Sequence, residues 1–201
     1  KQMNRLLQGD VGSGKTIVAI MSVIIAVENN FQSCIVAPTE ILAQQHFSSF
    51  INYLSDININ VQILTGSTTK LKRNLILSDL IIGKIDVLIG THALFEDDVR
   101  FKNLAYVVID EQHKFGVKQR SKMWKKNNPP PHVLIMTATP IPRTLTMSIY
   151  GDLDISIIDE MPPGRKDIVT VHRKDSNRLK VFAFLKDQIK SGRQVYICLL
   201  Y

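Results

Sequence analysis

Along the chain, short β-branched and apolar runs alternate with longer stretches whose apolar positions recur at helical spacing. The runs at Arg5–Gln8, Ser33–Ala37, Val61–Leu64, Asp86–Ile89, Ala105–Ile109, Val133–Met136 and Ile155–Ile158 predict strands. Several of them are apolar throughout instead of alternating. That pattern marks strands covered on both faces, and hence a parallel sheet. Between them, helices are predicted over Lys15–Asn29, Glu40–Leu54, Lys70–Ile82, Val117–Lys126 and Pro142–Ser148. Alternating strands and helices point to an α/β layer fold. The first helix is apolar nearly all round, which predicts that it is buried against the sheet.

The pattern changes at Asp159–Lys166, DEMPPGRK, where two prolines and a glycine predict a loop or linker. Beyond it, Ile168–His172 reads as a strand. A helix follows, capped by Asp175 or Ser176, with Leu179, Phe182, Leu185 and Ile189 on one face and Gly192 closing it. Gln194–Leu200 reads as the next strand, so this segment looks like the opening β-α-β of a second lobe. Both ends of the chain look cut, which suggests a fragment of a longer protein. Pro129–Pro131 reads as a short rigid loop, and no internal repeat is evident.

Composition adds little to this picture. The 201 residues are 45% hydrophobic and 21% charged, ordinary for a soluble globular protein. A net charge of +7 points toward a polyanionic partner without deciding for one. The two cysteines, Cys34 and Cys198, both lie in apolar runs and read as buried, reduced thiols of a cytoplasmic protein. The start is not a signal peptide, and the longest apolar run, Ile17–Val27, is too short to span a bilayer.

Two motifs carry the chemistry. The first, Gly9-Asp10-Val11-Gly12-Ser13-Gly14-Lys15-Thr16, fits G-x-x-x-x-G-K-[ST] between a strand and a helix. Gly9, Gly12 and Gly14 let the backbone curl around phosphate oxygens, and Ser13 completes the cradle. The N-terminus of the following helix adds partial positive charge. Lys15 reaches the β- and γ-phosphates of a bound nucleotide, and the Thr16 hydroxyl ligates Mg²⁺. A phosphate loop specifies a nucleotide but not a reaction.

The second motif, Tyr106-Val107-Val108-Ile109-Asp110-Glu111-Gln112-His113, is an apolar strand ending in adjacent carboxylates. At the carboxyl end of a central parallel strand, such a pair lies beside the nucleotide crevice. Asp110 can hold Mg²⁺ through water while Glu111 polarises the attacking water, the arrangement of a hydrolase. On the residues alone, His113 reads as a partly buried histidine and Gln112 has no assigned chemistry.

These two motifs resemble those of superfamily 2 helicases, together with APTEILAQQHF (37–47), GKIDVLIGTHALF (83–95), TATPIPRTL (137–145) and YGDLDISIIDEMPPGRK (150–166). The likeness is strongest to the RecG family of bacterial ATP-dependent DNA helicases, and it covers Met3 to Tyr201. The resemblance implies a RecA-like parallel sheet with helices on both faces, that of a P-loop NTPase. Residues 1–160 would form the ATP-binding lobe, and 161–201 the linker and the start of a second RecA-like lobe. It implies that Thr137-Ala138-Thr139 couples hydrolysis to DNA movement, with His113 as its partner. It also implies that Pro38-Thr39-Glu40, Thr65-Gly66-Ser67 and Gly90-Thr91-His92 touch the DNA backbone. Hydroxyls, backbone N–H groups and helix N-termini suit phosphate oxygens and read no base sequence. Without the resemblance, each threonine loop would read as a helix cap, and His92 as a core histidine.

The family often has arginine where Lys114 stands, so the charge is kept and the planar fork is lost. Its arginine fingers lie in motifs beyond Tyr201, and nothing here corresponds to its N-terminal wedge domain. The implied activity is translocation on branched double-stranded DNA, at forks and Holliday junctions, by a monomer with no membrane partner. Two alternatives remain. The transcription-repair coupling factor shares GTH, TATPIPRT and PPGR, although the serine of GDVGSGKT and the glutamine of DEQH favour RecG. The other is a nucleotide-gated binding module that hydrolyses nothing. DEAD-type signatures are absent, which argues against an RNA helicase.

Overall fold

In the computed structural model, residues 2–111, 126–139, 153–160 and 168–199 are described. The chain divides into two compact units, Lys1–Pro163 and Gly164–Tyr201.

Among its described residues the first unit has seven strands: β1 (Asn4–Gly9), β2 (Gln32–Val36), β3 (Val61–Leu64), β4 (Val87–Gly90), β5 (Leu104–Asp110), β6 (His132–Thr137) and β7 (Asp154–Ile158). They form one sheet in the order β3-β4-β2-β5-β6-β1-β7. Every pairing is parallel. All seven predicted strands are present, and the fold is the expected RecA-like α/β sheet.

Among the described residues, three helices cover it: α1 (Lys15–Glu28), α2 (Glu40–Tyr53) and α3 (Lys70–Ile82). Successive side chains of a strand point to opposite faces, so the apolar strands supply two cores. Leu6, Cys34, Val36, Leu88, Val107, Ile109, Val133 and Ile135 pack on one face, with Ile76 and Leu80 of α3. Leu7, Ile35, Val87, Ile89, Val108, Leu134 and Met136 pack on the other, with Ala19, Ile20 and Val23 of α1 and Ala43 and Phe50 of α2. This two-sided burial is why the strands carry no polar alternation.

The first helix departs from expectation. Only Ala19, Ile20 and Val23 are buried, while Met21 and Ile25 are 61% and 63% exposed. A helix lying on a sheet buries one stripe, and apolar residues on its far side stay in solvent. The helices predicted at Val117–Lys126 and Pro142–Ser148 fall almost wholly outside the described residues. Among the described residues, no helix is long and apolar enough to cross a membrane.

In the second unit the helix forms as α4 (Arg178–Lys190), but its start differs from the prediction. A 3₁₀ turn occupies Asp175–Asn177, and Asn177 stands at the cap without a side-chain hydrogen bond. Gly192, at φ 80°, closes the helix as expected. The runs predicted as strands at Ile168–His172 and Gln194–Leu200 carry no ladder over their described residues. Strands are stabilised by cross-strand partners, and none is supplied within this unit's described residues. For the same reason Cys198 is exposed, contrary to the sequence expectation, whereas Cys34 is buried in the sheet.

Candidate active site

The phosphate loop joins the carboxyl end of β1 to α1. Gly12 and Gly14 adopt φ 83° and 94°, a left-handed backbone that favours glycine. Gly14 is the N-cap of α1 and has no side-chain cap bond, so the first turn of the helix faces into the loop. Gly9 is needed for closeness: a Cβ there would lie 2.5 Å from Ser13 Oγ and 3.1 Å from Ile158 Cβ. Lys15 folds back over the loop, its Nζ donating to the carbonyls of Gly9 at 2.7 Å and Asp10 at 2.8 Å. Two of the three ammonium donors are thus held by the loop's own backbone. Ser13 Oγ is buried with no hydrogen-bond partner. A buried, unsatisfied hydroxyl beside left-handed glycines and a helix N-terminus fits an anion of phosphate size.

The acidic pair sits at the same edge. Asp110 ends β5 and is level with Met136 of β6, which is level in turn with Leu7 of β1. With strands ~4.8 Å apart, the loop after β1 and the carboxylates after β5 are separated by the width of one strand. The sequence prediction required this convergence of Lys15 with Asp110–Glu111.

The two carboxylates have different surroundings. Asp110 is buried, and its Oδ2 lies 2.8 Å from His46 Nε2 on α2. Glu111 has φ 49°, uncommon for a non-glycine residue. Its N–H donates to the Met136 carbonyl at 2.9 Å, which anchors the turned backbone to β6. Its carboxylate accepts the Ala138 N–H at 3.2 Å and the Thr137 hydroxyl at 3.3 Å. The Thr137 hydroxyl also accepts the Thr139 N–H at 3.1 Å. Thr137 and Thr139 are therefore brought into contact with the acidic motif through Glu111. The partner expected from sequence, His113, lies outside the described residues, as do Gln112 and Lys114.

Among the described residues, no three His, Cys, Asp or Glu side chains group as a metal cage. Magnesium at a nucleotide site characteristically takes one or two protein ligands and relies on phosphate oxygens and water for the rest. Thr16, on the first turn of α1, and Asp110 suit that role.

The three loops expected to contact DNA follow β2, β3 and β4, which are neighbours at the other half of the same edge. Thr39 is exposed and caps α2, its side chain accepting the Leu42 N–H at 3.3 Å; Pro38 is half-buried before it. Glu40 accepts the Ser67 N–H at 3.0 Å and its hydroxyl at 2.8 Å, joining two of the loops. The bonds from Ser67 hold the Glu40 carboxyl below the usual carboxylate range. Gly66 and His92 are exposed. Thr65 and Thr91 are buried, so their side chains are withheld from direct contact in this conformation. Gly90 allows the last of these turns: a Cβ there would lie 2.1 Å from the Leu64 carbonyl oxygen.

Sequence reasoning missed His46. The only local signal was a histidine in register with Ala43 and Phe50 on the stripe of α2 that meets the sheet. A separate cavity of about 410 Å³, lined by Met3, Tyr106 and His132, opens at the opposite, amino-terminal edge of the sheet. It shares no residue with the site.

The chain is similar to known proteins in sequence and in fold. The DEAD/DEAH box helicase family matches residues 1–148. The ATP-dependent DNA helicase RecG of Aquifex aeolicus is 53% identical over 196 residues, covering 97% of this chain and 25% of that protein. RecG of Bacillus subtilis is 48% identical over 196 residues, covering 98% of this chain and 29% of that protein. A solved structure of RecG bound to a three-way DNA junction aligns with a TM-score of 0.82 at 44% identity. That alignment covers 96% of this chain and 26% of the solved one. The chain thus spans about a quarter of the length of these relatives. The RecG likeness read from the sequence segments holds. The acidic motif reads Asp-Glu-Gln-His, yet the family match runs through it, so absence of the DEAD tetrapeptide does not set the chain apart. Carrying both nucleotide motifs within residues 1–148, the chain belongs to the DEAD/DEAH box helicase family.

Proposed function

We propose that this chain is the ATP-binding lobe of a DNA-translocating motor that acts on branched double-stranded DNA, at forks and Holliday junctions. The observation that carries the reading is the convergence of the Lys15 loop and the Asp110–Glu111 pair, one strand apart at a single sheet edge. Lys15 leaves the Gly9 and Asp10 carbonyls to meet the β- and γ-phosphates, and the glycine turn supplies backbone donors. Mg²⁺ would neutralise charge on the transferring phosphoryl group, held by Thr16 and, through water, by Asp110. Glu111 orients and polarises the attacking water. Because its carboxylate also holds Thr137 and Ala138, a change at the reacting phosphate moves the end of β6.

The DNA half of the reading rests on the loops after β2, β3 and β4. Exposed Thr39, Gly66 and His92 offer a hydroxyl, a backbone N–H and a ring to the phosphodiester backbone. Such contacts are independent of base sequence, as a translocating motor requires. Branched DNA as substrate is supported by a solved relative, titled as bound to a three-way DNA junction.

The test is ATP hydrolysis by the full-length protein, with and without forked DNA, compared with Glu111→Gln. Stimulation by DNA is expected in the parent. Loss of turnover with retained ATP binding is expected in the variant. A parent that forked DNA does not stimulate overturns the motor reading. A variant that hydrolyses like the parent removes Glu111 from the chemistry.

A further inference from the structure

α2 touches both halves of the sheet edge. Its first turn carries Thr39 and Glu40, with Glu40 bonded to Ser67 in the loop after β3. Two turns later, His46 reaches the carboxylate that ends β5. At 1.5 Å per residue, the seven positions from Thr39 to His46 span roughly 10 Å of rigid helix.

His46 lies on the stripe of α2 that otherwise buries Ala43 and Phe50. A polar ring there costs stability unless it is hydrogen-bonded. It is satisfied by Asp110 Oδ2 at 2.8 Å, with both side chains nearly buried, at 11% and 13% exposure. A carboxylate is an acceptor only, so Nε2 carries the proton and donates it. One Asp110 oxygen is thereby committed, which restrains the carboxylate's rotation. Outer-shell donors of this kind set the orientation of the groups that hold a metal and its water.

Resting on the motor reading above, we propose that His46 is a positioning residue. It holds Asp110 in the orientation that receives magnesium and ties that carboxylate, through α2, to the loops that meet DNA. A shift of the α2 N-terminus on DNA binding is then felt at Asp110 without any contact between DNA and nucleotide. Nothing in the acidic motif or the phosphate loop specifies this link, because it is made from a different helix.

The experiment uses the full-length protein with His46→Ala and His46→Gln. The Gln amide nitrogen can occupy the place of Nε2 and donate to the same oxygen. Two quantities are read: the Mg²⁺ concentration that half-saturates binding of a non-hydrolysable ATP analogue, and kcat and KM for ATP with forked DNA. For His46→Ala the Mg²⁺ requirement is expected to rise about tenfold or more, the scale typical of outer-shell losses. kcat should fall by a similar factor, while the KM for ATP and metal-free nucleotide binding stay near the parent. His46→Gln should recover most of both. Parent-like Mg²⁺ dependence and kcat in His46→Ala overturn the proposal. So does a His46→Gln protein that melts like the parent yet is as impaired as the alanine variant. If His46→Ala does not fold, His46→Gln decides: near-parent Mg²⁺ dependence supports positioning, and a tenfold loss overturns it. A parent with no DNA-stimulated turnover removes the motor reading, and the analogue-binding measurement still judges His46.

Discussion

The carboxylate of Glu111 accepts the backbone N–H of Ala138 at 3.2 Å, joining the last residue of the acidic pair to the turn that leaves β6. The Thr137 hydroxyl adds a second bond to the same carboxylate. Glu111 and the Thr137–Ala138 turn are thus one hydrogen-bonded unit, assembled around a Glu111 backbone in the left-handed region. Replacing Thr137 by Val keeps the shape and removes the hydroxyl. DNA-stimulated ATP turnover is expected to fall about tenfold or more, as for one hydrogen bond to a charged group worth about 1.5 kcal/mol. ATP binding should be unchanged. Steady-state kinetics with and without DNA check this.

The backbone at Glu111 allows a separate prediction about stability. Neither Glu111→Gln nor Glu111→Asn supplies a carboxylate, so both should lose turnover. Asparagine tolerates the left-handed region better than glutamine. The Asn variant should therefore be more stable than the Gln variant by about 0.5–1 kcal/mol, a fraction of the usual left-handed penalty. Urea unfolding of the two proteins measures the difference.

Lys15 is held at 2.7 and 2.8 Å by carbonyls of its own loop. Those bonds stay within one part-buried turn and tie down no other element, so Lys15→Ala should fold normally. It should bind ATP about 10- to 100-fold more weakly, the equivalent of a charge-assisted hydrogen bond of about 1.5–3 kcal/mol. Titration calorimetry distinguishes this from a loss of fold.

Gly90 stands where β4 turns into the loop of Thr91 and His92, and an added Cβ would lie 2.1 Å from the Leu64 carbonyl oxygen. Backbone cannot give way as a flexible side chain would. Gly90→Ala should destabilise the protein by about 1–3 kcal/mol, as overpacking does. Thermal unfolding should show the loss. A parent-like melting temperature would mean that β3 and β4 separate more easily than their register suggests.

The two cysteines should differ in reactivity. Burial pushes the Cys34 thiol up to about 12, while Cys198 is exposed. The thiolate is the reactive form, so a thiol reagent at neutral pH should label one cysteine in the native protein and two after denaturation. The sign of the pH effect follows from the raised value. The folded state favours the neutral thiol, so stability from Cys34 is present below the ordinary thiol pKa and is lost as pH rises from there toward 12.

The chain's local patterns determined the seven strands and three helices described in the sheet unit, and the phosphate-loop turn between β1 and α1. Each depends on residues a few positions apart, where backbone period and turn geometry act directly. Packing decided which groups those motifs would meet. His46 and Asp110 are 64 positions apart, and Glu111 and Thr137 are 26 apart. They meet only because β2, β5 and β6 are neighbours in the sheet and α2 lies across its face. Exposure followed the same division. Cys34 and Cys198 sit in similar apolar runs, yet only the one with strands on both sides is buried, since burial belongs to the assembled layers and not to the run itself.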